Sequence, residues 1–177
     1  MRNNSKIEIR HTSITDDIHI IKKLWFDYLV WVNEEMQSLC GLNPHIPVET
    51  LKKDIDSIDK FQPPQGILLT AIYENKICGV GSFKKINTEI CEIKRMYIDP
   101  KFRRLGAGRA ILKALLIEAR NMNYNRVRLD SPKFMNSAHS LYRSIGFQNI
   151  EAYTEMENPE KFKDYLLFME LDLRQAL

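Results

Sequence analysis

Residues 6–11, Lys-Ile-Glu-Ile-Arg-His, alternate polar and apolar with the two-residue period of a short strand that buries one face. From Thr15 the period lengthens. Ile18, Ile21, Leu24, Trp25, Tyr28, Leu29 and Val32 recur at helical spacing behind Asp16 and Asp17, carboxylates suited to the positive end of a helix dipole. Gly41 and Asn43-Pro44 stop that helix. A second helix is predicted over 49–58, followed by a Pro/Gly loop over 61–66. Three strands come next: 67–73 and 76–85, joined by the short turn Glu74-Asn75, and then 90–98. A helix over 108–122 carries Ile111, Leu112, Leu115, Leu116 and Ala119 on one stripe. A strand over 126–130, a helix over 136–144 closed by Gly146, and strands over 147–153 and 165–173 complete the pattern. The order β-α-α-β-β-β-α-β-α-β-β predicts an α/β chain with a mixed sheet and helices on its faces.

Composition narrows the classes. At 177 residues the chain is expected to form one domain spanning 1–177, large enough for a core without covalent staples. Net charge is +3 and the pI about 8.7, with no concentrated basic stripe, so nucleic acid is not an expected partner. Cys40, Cys78 and Cys91 are widely spaced and contain no CxxC pair, and His11, His19, His45 and His139 are scattered. Neither a disulfide framework nor a metal site is predicted. No apolar run approaches the ~18–20 residues of a membrane span, and the first residues lack a secretory pattern. A cytoplasmic protein without a membrane partner is the expectation.

The chemistry concentrates where a strand runs into Arg103-Arg104-Leu105-Gly106-Ala107-Gly108-Arg109 and a long helix opens. The first amides of a helix have no internal partner and point outward at the positive end of its dipole. Glycines at 106 and 108 let an anion approach the backbone, and the arginines offer charge-assisted contacts on the rim. The turn reads as a phosphate or pyrophosphate cradle. It is not a Walker loop, because Arg109-Ala110 stand where lysine and a hydroxyl residue are needed. It is not a dinucleotide fingerprint either, since Ile111 occupies the third small position.

The turn resembles the acetyl-coenzyme A signature of the GCN5-related N-acetyltransferase (GNAT) superfamily, Arg/Gln-x-x-Gly-x-Gly/Ala, matched by residues 103–108. A second segment is similar to the family's Asn-x-x-Ala-x-x-Leu-Tyr-x-x-x-Gly-Phe run. Here it reads Asn136, Ser137, Ala138, His139, Ser140, Leu141, Tyr142, Arg143, Ser144, Ile145, Gly146, Phe147. The resemblance implies a mostly antiparallel sheet splayed between its fourth and fifth strands, the one ending near Ile98 and the other near Asp130. It implies acetyl-CoA as co-substrate and no metal. Main-chain groups of Met96, Tyr97 and Ile98 would hold the pantetheine arm, and an amide near Met96 would polarise the thioester carbonyl. Amides of Arg104, Leu105, Gly106, Ala107, Gly108 and Arg109, with Arg103 on the rim, would hold the pyrophosphate. Asn136 would contact the arm from the other side.

Two proton transfers are required, because an alkyl amine with a pKa near ~10.4 is almost wholly protonated at pH 7. By the resemblance Tyr142 is the proton donor to the departing thiolate, and Glu92, eleven residues before Arg103, is the candidate base. Read without it, Tyr142 is rather a core aromatic, Glu92 a solvated strand residue, and Gly106 and Gly108 the shape of a turn. Trp25, Tyr28 and Trp31 read as core or groove lining, and Lys52-Lys53 and Lys84-Lys85 as solvated charge. The expected activity is acetyl transfer from acetyl-CoA to a primary amine of a small molecule or protein, in a ternary complex formed by a monomer or homodimer. The alternatives are a non-catalytic acyl-CoA-binding sensor of the same fold, or a longer acyl donor. The acceptor site is expected between residues 25–47 and the C-terminal strands, including Tyr153. Glu34, Glu35, Glu151, Glu155 and Glu157 hint at a cationic acceptor, which a solvated surface explains equally well.

Overall fold

The computed structural model describes residues 6–44, 46–155 and 160–175. Among them, seven strands form one sheet: β1 (Glu8–His11), β2 (Gly66–Tyr73), β3 (Lys76–Lys85), β4 (Ile90–Ile98), β5 (Arg126–Pro132), β6 (Gln148–Ile150) and β7 (Leu166–Asp172). They lie in the order β1-β2-β3-β4-β5-β7-β6, antiparallel throughout except for the parallel pair β4 and β5. The mixed α/β sheet read from the sequence is present. Both hairpin residues, Glu74 and Asn75, have positive φ, as the tight turn between twisted strands requires.

Alternation along β2 explains why helices cover both faces. Leu68 points into a core with Ile21, Leu24 and Trp25 of α1 (Ile14–Cys40). Ile67 and Leu69 point the other way, to Ile111, Leu112 and Leu115 of α3 (Ala107–Asn121). Each such side chain contributes about 1.5–3 kcal/mol on burial. The helix α2 (Pro47–Asp56) adds Leu51 and Ile55 to the α1 side, while α4 (Asn136–Ile145) brings Tyr142 to the α3 side.

Several boundaries differ from the sequence reading. The helix α1 begins at Ile14, one residue before the helical period read from Thr15, and Ser13 caps it: its hydroxyl accepts from the Asp16 amide, and the Asp17 carboxylate accepts from the Ser13 amide at 3.0 Å. Arg10 clamps the same Asp17 at 2.8 and 2.9 Å, tying β1 to the helix start. The predicted strand over 147–153 shrinks to Gln148–Ile150, because β6 pairs only with β7 over three residues. Beyond it the chain leaves the sheet, and the Tyr153 side chain turns inward.

Two features of β4 shape the site. It pairs with β5 only from Ile90 to Glu92, against Arg126 to Arg128. Further on β4 stays with β3, and β5 stays with β7 as far as Pro132, so the two strands diverge and open a V-shaped gap. The second feature is a bulge: the β3–β4 register passes from Ser82↔Lys94 to Val80↔Tyr97, leaving Arg95 and Met96 against a single partner residue. Arg95 takes the strain, with a φ of 52°.

Candidate active site

One end of the gap is the start of α3. Gly106 caps it at φ +89°, a left-handed conformation that glycine adopts at little cost. The first helical bond runs from the Ala110 amide to the Gly106 carbonyl at 3.0 Å, so the amides of Ala107, Gly108 and Arg109 lie ahead of it. No acidic side chain stands in that first turn to satisfy them. A Cβ on Gly106 would meet nothing within 4 Å, so the cap is open on that side. A Cβ on Gly108 would point among Leu141, Met96 and Ile98 at 3.6–3.8 Å, ordinary contact that leaves no clash within the protein. Glycine at 108 is thus not demanded by packing within the protein.

The arginines divide. Arg109 reaches α4 and bonds the Ser144 hydroxyl at 2.9 Å. Arg103 turns away from the cradle: its Nε donates to the Ile98 carbonyl at 3.3 Å, and its guanidinium lies over the rings of Trp31 and Tyr97 at 5.2 and 5.6 Å. The Tyr97 ring belongs to the α1-side core, which leaves only its main chain for a ligand. Arg104 has a positive φ of 64°, and Leu105 is exposed. Asn136 opens α4 in an exposed position across the gap.

The gap widens into a cavity of about 370 Å³ between β4, β5, α1, α2 and the start of α4. Tyr142 stands on its wall, packed on Phe147 at 5.7 Å between ring centroids. Burial pushes its phenol well above the usual range, and Tyr28 and Asp130 push the same way. Tyr28, also on the wall, is raised chiefly by burial. Of the segment expected to line the acceptor site, Tyr28, Val32, Met36 and Pro44 do so, whereas Trp25 is core and Trp31 sits under Arg103.

Glu92 sits on the strand where the sequence reading placed it, but not on a solvated face. It is fully buried, neither a solvated strand residue nor part of the cavity wall. Its Oε1 accepts from the Tyr153 hydroxyl at 2.6 Å and from Lys94 Nζ at 3.0 Å, and its Oε2 lies 3.5 Å from Lys84 Nζ. Lys94 continues to Asp130 Oδ1 at 2.8 Å. Lys94 and Asp130 are the members of this network that reach the cavity. Tyr153, expected on the acceptor wall, is instead spent on Glu92, and burial beside that carboxylate raises its phenol far above the ordinary value. Lys84, read as solvated charge, is instead a partner of Glu92, whereas Lys53 is exposed as read and also borders the cavity. Of the acids that hinted at a cationic acceptor, Glu34, Glu35, Glu151 and Glu155 do not line the cavity, and Glu157 lies outside the described residues.

The sequence profile described as Acetyltransferase (GNAT) family matches residues 25–147, from α1 through both glycine-bearing segments. The chain belongs to the GNAT family. An uncharacterized N-acetyltransferase of Bacillus subtilis, YsnE, is 26% identical over 126 residues, covering 70% of this chain and 80% of that protein. A second relative, an uncharacterized N-acetyltransferase of Dictyostelium discoideum, is 35% identical over 65 residues, 37% of this chain. The match spans only 30% of that protein's length. The fold is shared with the PaiA N-acetyltransferase of Thermoplasma acidophilum, solved in complex with coenzyme A. That likeness has a TM-score of 0.71 at 16% identity, covering 94% of this chain and 99% of that one.

Within this GNAT chain, sequence reasoning missed the charged side chains that face the cavity. Lys94 carried a usable signal. It sits two residues from Glu92 in a strand that is apolar apart from these two and Arg95, so period-two geometry puts both on one face. Arg95, Asp54 and Lys60 carried none, because a bulge and a helix–strand contact bring them together. Asp54 accepts from Arg95 Nε at 2.6 Å and from Lys60 Nζ at 3.2 Å.

Proposed function

We propose that the protein transfers the acetyl group of acetyl-CoA to a primary amine in a ternary complex. The observation that carries this reading is the divergence of β4 and β5. It joins an open helix start at one end to a cavity bearing Tyr142 at the other. The residues fit the co-substrate. Bare amides from Arg104 to Arg109 suit a pyrophosphate. The bare backbone of Gly108, and the main-chain groups of Met96, Tyr97 and Ile98, suit an extended arm, with Asn136 on the opposite bank. When bound, acetyl-CoA supplies an activated thioester that an amine attacks, with coenzyme A as the leaving group.

The remaining steps belong to the chain. A β4 amide at Met96, where the bulge interrupts pairing, polarises a carbonyl by donating to it. Tyr142 gives its proton to the departing sulfur; its raised pKa keeps the phenol protonated at neutral pH. For the amine's proton, Glu92 acts at one remove. Its carboxylate fixes Lys94, Lys94 holds Asp130, and Asp130 is the carboxylate of that network on the cavity wall. Asp130 receives the proton, and Glu92 is a positioning residue.

The test is release of coenzyme A thiol from acetyl-CoA by purified protein across a panel of primary amines, run beside calorimetric titration with acetyl-CoA. Binding with amine-dependent thiol release supports the reading. Binding without turnover on any amine supports the acyl-CoA-binding sensor instead, and absence of binding removes both.

A further inference from the structure

Resting on the acetyl-transfer reading, we propose that the acceptor is a small amine that also carries a carboxylate, and that Lys53, Lys60 and Arg95 form the subsite for that anion. The wall of the cavity holds four cationic side chains, Lys53, Lys60, Lys94 and Arg95, against two carboxylates, Asp54 and Asp130, among the described residues. Asp130 is taken by Lys94 and the reacting amine, and Asp54 by two cations, so neither carboxylate is left for a second cation. Asp54 is buried with Oδ2 on Arg95 and Oδ1 on Lys60, and Asp130 has Lys94 on its Oδ1. A second ammonium on the acceptor would enter a site whose anions are already committed.

A carboxylate meets the opposite condition. Thr50, Lys53 and Asp54 are spaced to share one face of α2, and all three line the cavity. Asp54 holds the Arg95 and Lys60 cations to this wall, and Lys53 stands one residue before it. Among the described residues this wall sets three cations, the exposed Lys53 among them, against one carboxylate, and a concave site strengthens each charge-assisted bond to an anion. The backbone is arranged for this at a cost. Arg95 takes a left-handed φ of 52° in the bulge, a conformation that a non-glycine residue keeps only where its surroundings hold it there. A volume of about 370 Å³ lies at the small end of the range for small-molecule pockets, which suits an amino acid-like ligand more than a protein side chain on its backbone.

Matched pairs of acceptors decide the matter: glycine and glycinamide, β-alanine and its amide, 4-aminobutyrate and its amide, with spermidine as the cationic comparison. The expected result is kcat/KM at least about tenfold higher for the acid of one pair than for its amide. In the double variant K53A/K60A, KM for that acid should rise about tenfold while KM for the amide and for acetyl-CoA stays within about twofold. Amides as good as acids, or spermidine better than either, overturn the anion subsite and leave acetyl transfer standing. Transfer to none of these amines overturns it too; acetyl-CoA titration in the same preparation then tells whether the parent reading fails with it. A short peptide with a free C-terminal carboxylate, accepted better than the free acids, would overturn the small-ligand class while keeping the charge preference.

Discussion

Tyr142 and Glu92 are both buried acids, set in opposite surroundings. Burial, Tyr28 and Asp130 all oppose ionisation of the Tyr142 phenol. Glu92 faces two ammonium groups and a phenol that donates to it. Tyr142→Phe should therefore lower kcat by about 100-fold or more while acetyl-CoA affinity changes little, since the ring that packs on Phe147 is retained. Because its pKa lies above the usual phenol value of ~10, ionisation of Tyr142 should contribute no alkaline limb to the wild-type pH–rate profile below that pH. Glu92→Gln tests a different property. It leaves Lys84 and Lys94 facing one carboxylate fewer in a buried network, which should cost about 3–5 kcal/mol in urea unfolding. Its acidic pH–rate limb should persist, whereas Asp130→Asn should flatten that limb. The reverse pattern would make Glu92 the direct base.

At the level of elements, the cap of α1 joins folding to pH. The Arg10 side chain, followed by the Ser13 amide, holds the Asp17 carboxyl below its usual range. A depressed carboxyl pKa contributes stability above the unfolded value of ~3.9 and loses it as pH falls through the folded value. Asp17→Asn should then cost about 1–2 kcal/mol at pH 7, with the gap from wild type closing below about pH 4 in denaturant titrations. The elements also mark what the sequence could disclose. Helical and two-residue periods located α1, α3 and β2 through β5, since each buries an apolar face whose spacing is local. The cradle was legible for the same reason, as a glycine turn contiguous with its helix. The end of β6 was not, because Tyr153 leaves the sheet for a hydrogen bond to Glu92, sixty-one residues away in the chain. Nor was the Asp54–Arg95 pair, made by a bulge in β4 and the docking of α2.

For the molecule as a whole, the gap is a place where the sheet forgoes hydrogen bonds. β4 and β5 share three residue pairs and then separate, so past Glu92 and Arg128 the two halves of the sheet are coupled through side chains and flanking helices. A ligand lying between them would touch β4, the start of α3 and the start of α4 together, contacts that exist only in the folded chain. Such a ligand stabilises by mass action: at about 100 times its Kd the gain is about 2.7 kcal/mol. For a domain of this size each kcal/mol moves Tm by about 2–4 °C, so saturating acetyl-CoA should raise Tm by about 5–10 °C in scanning calorimetry. Gly108→Ala separates the gap from the fold. Its Cβ enters space where Leu141, Met96 and Ile98 stand at 3.6–3.8 Å, so the unliganded Tm should stay within about 3 °C of wild type. The same methyl group occupies space the arm needs, so the acetyl-CoA shift should fall by at least about half. A variant that melts like wild type and still gains the full shift would mean that the ligand does not lie beside Gly108. The open start of α3 would then have to serve some other anion.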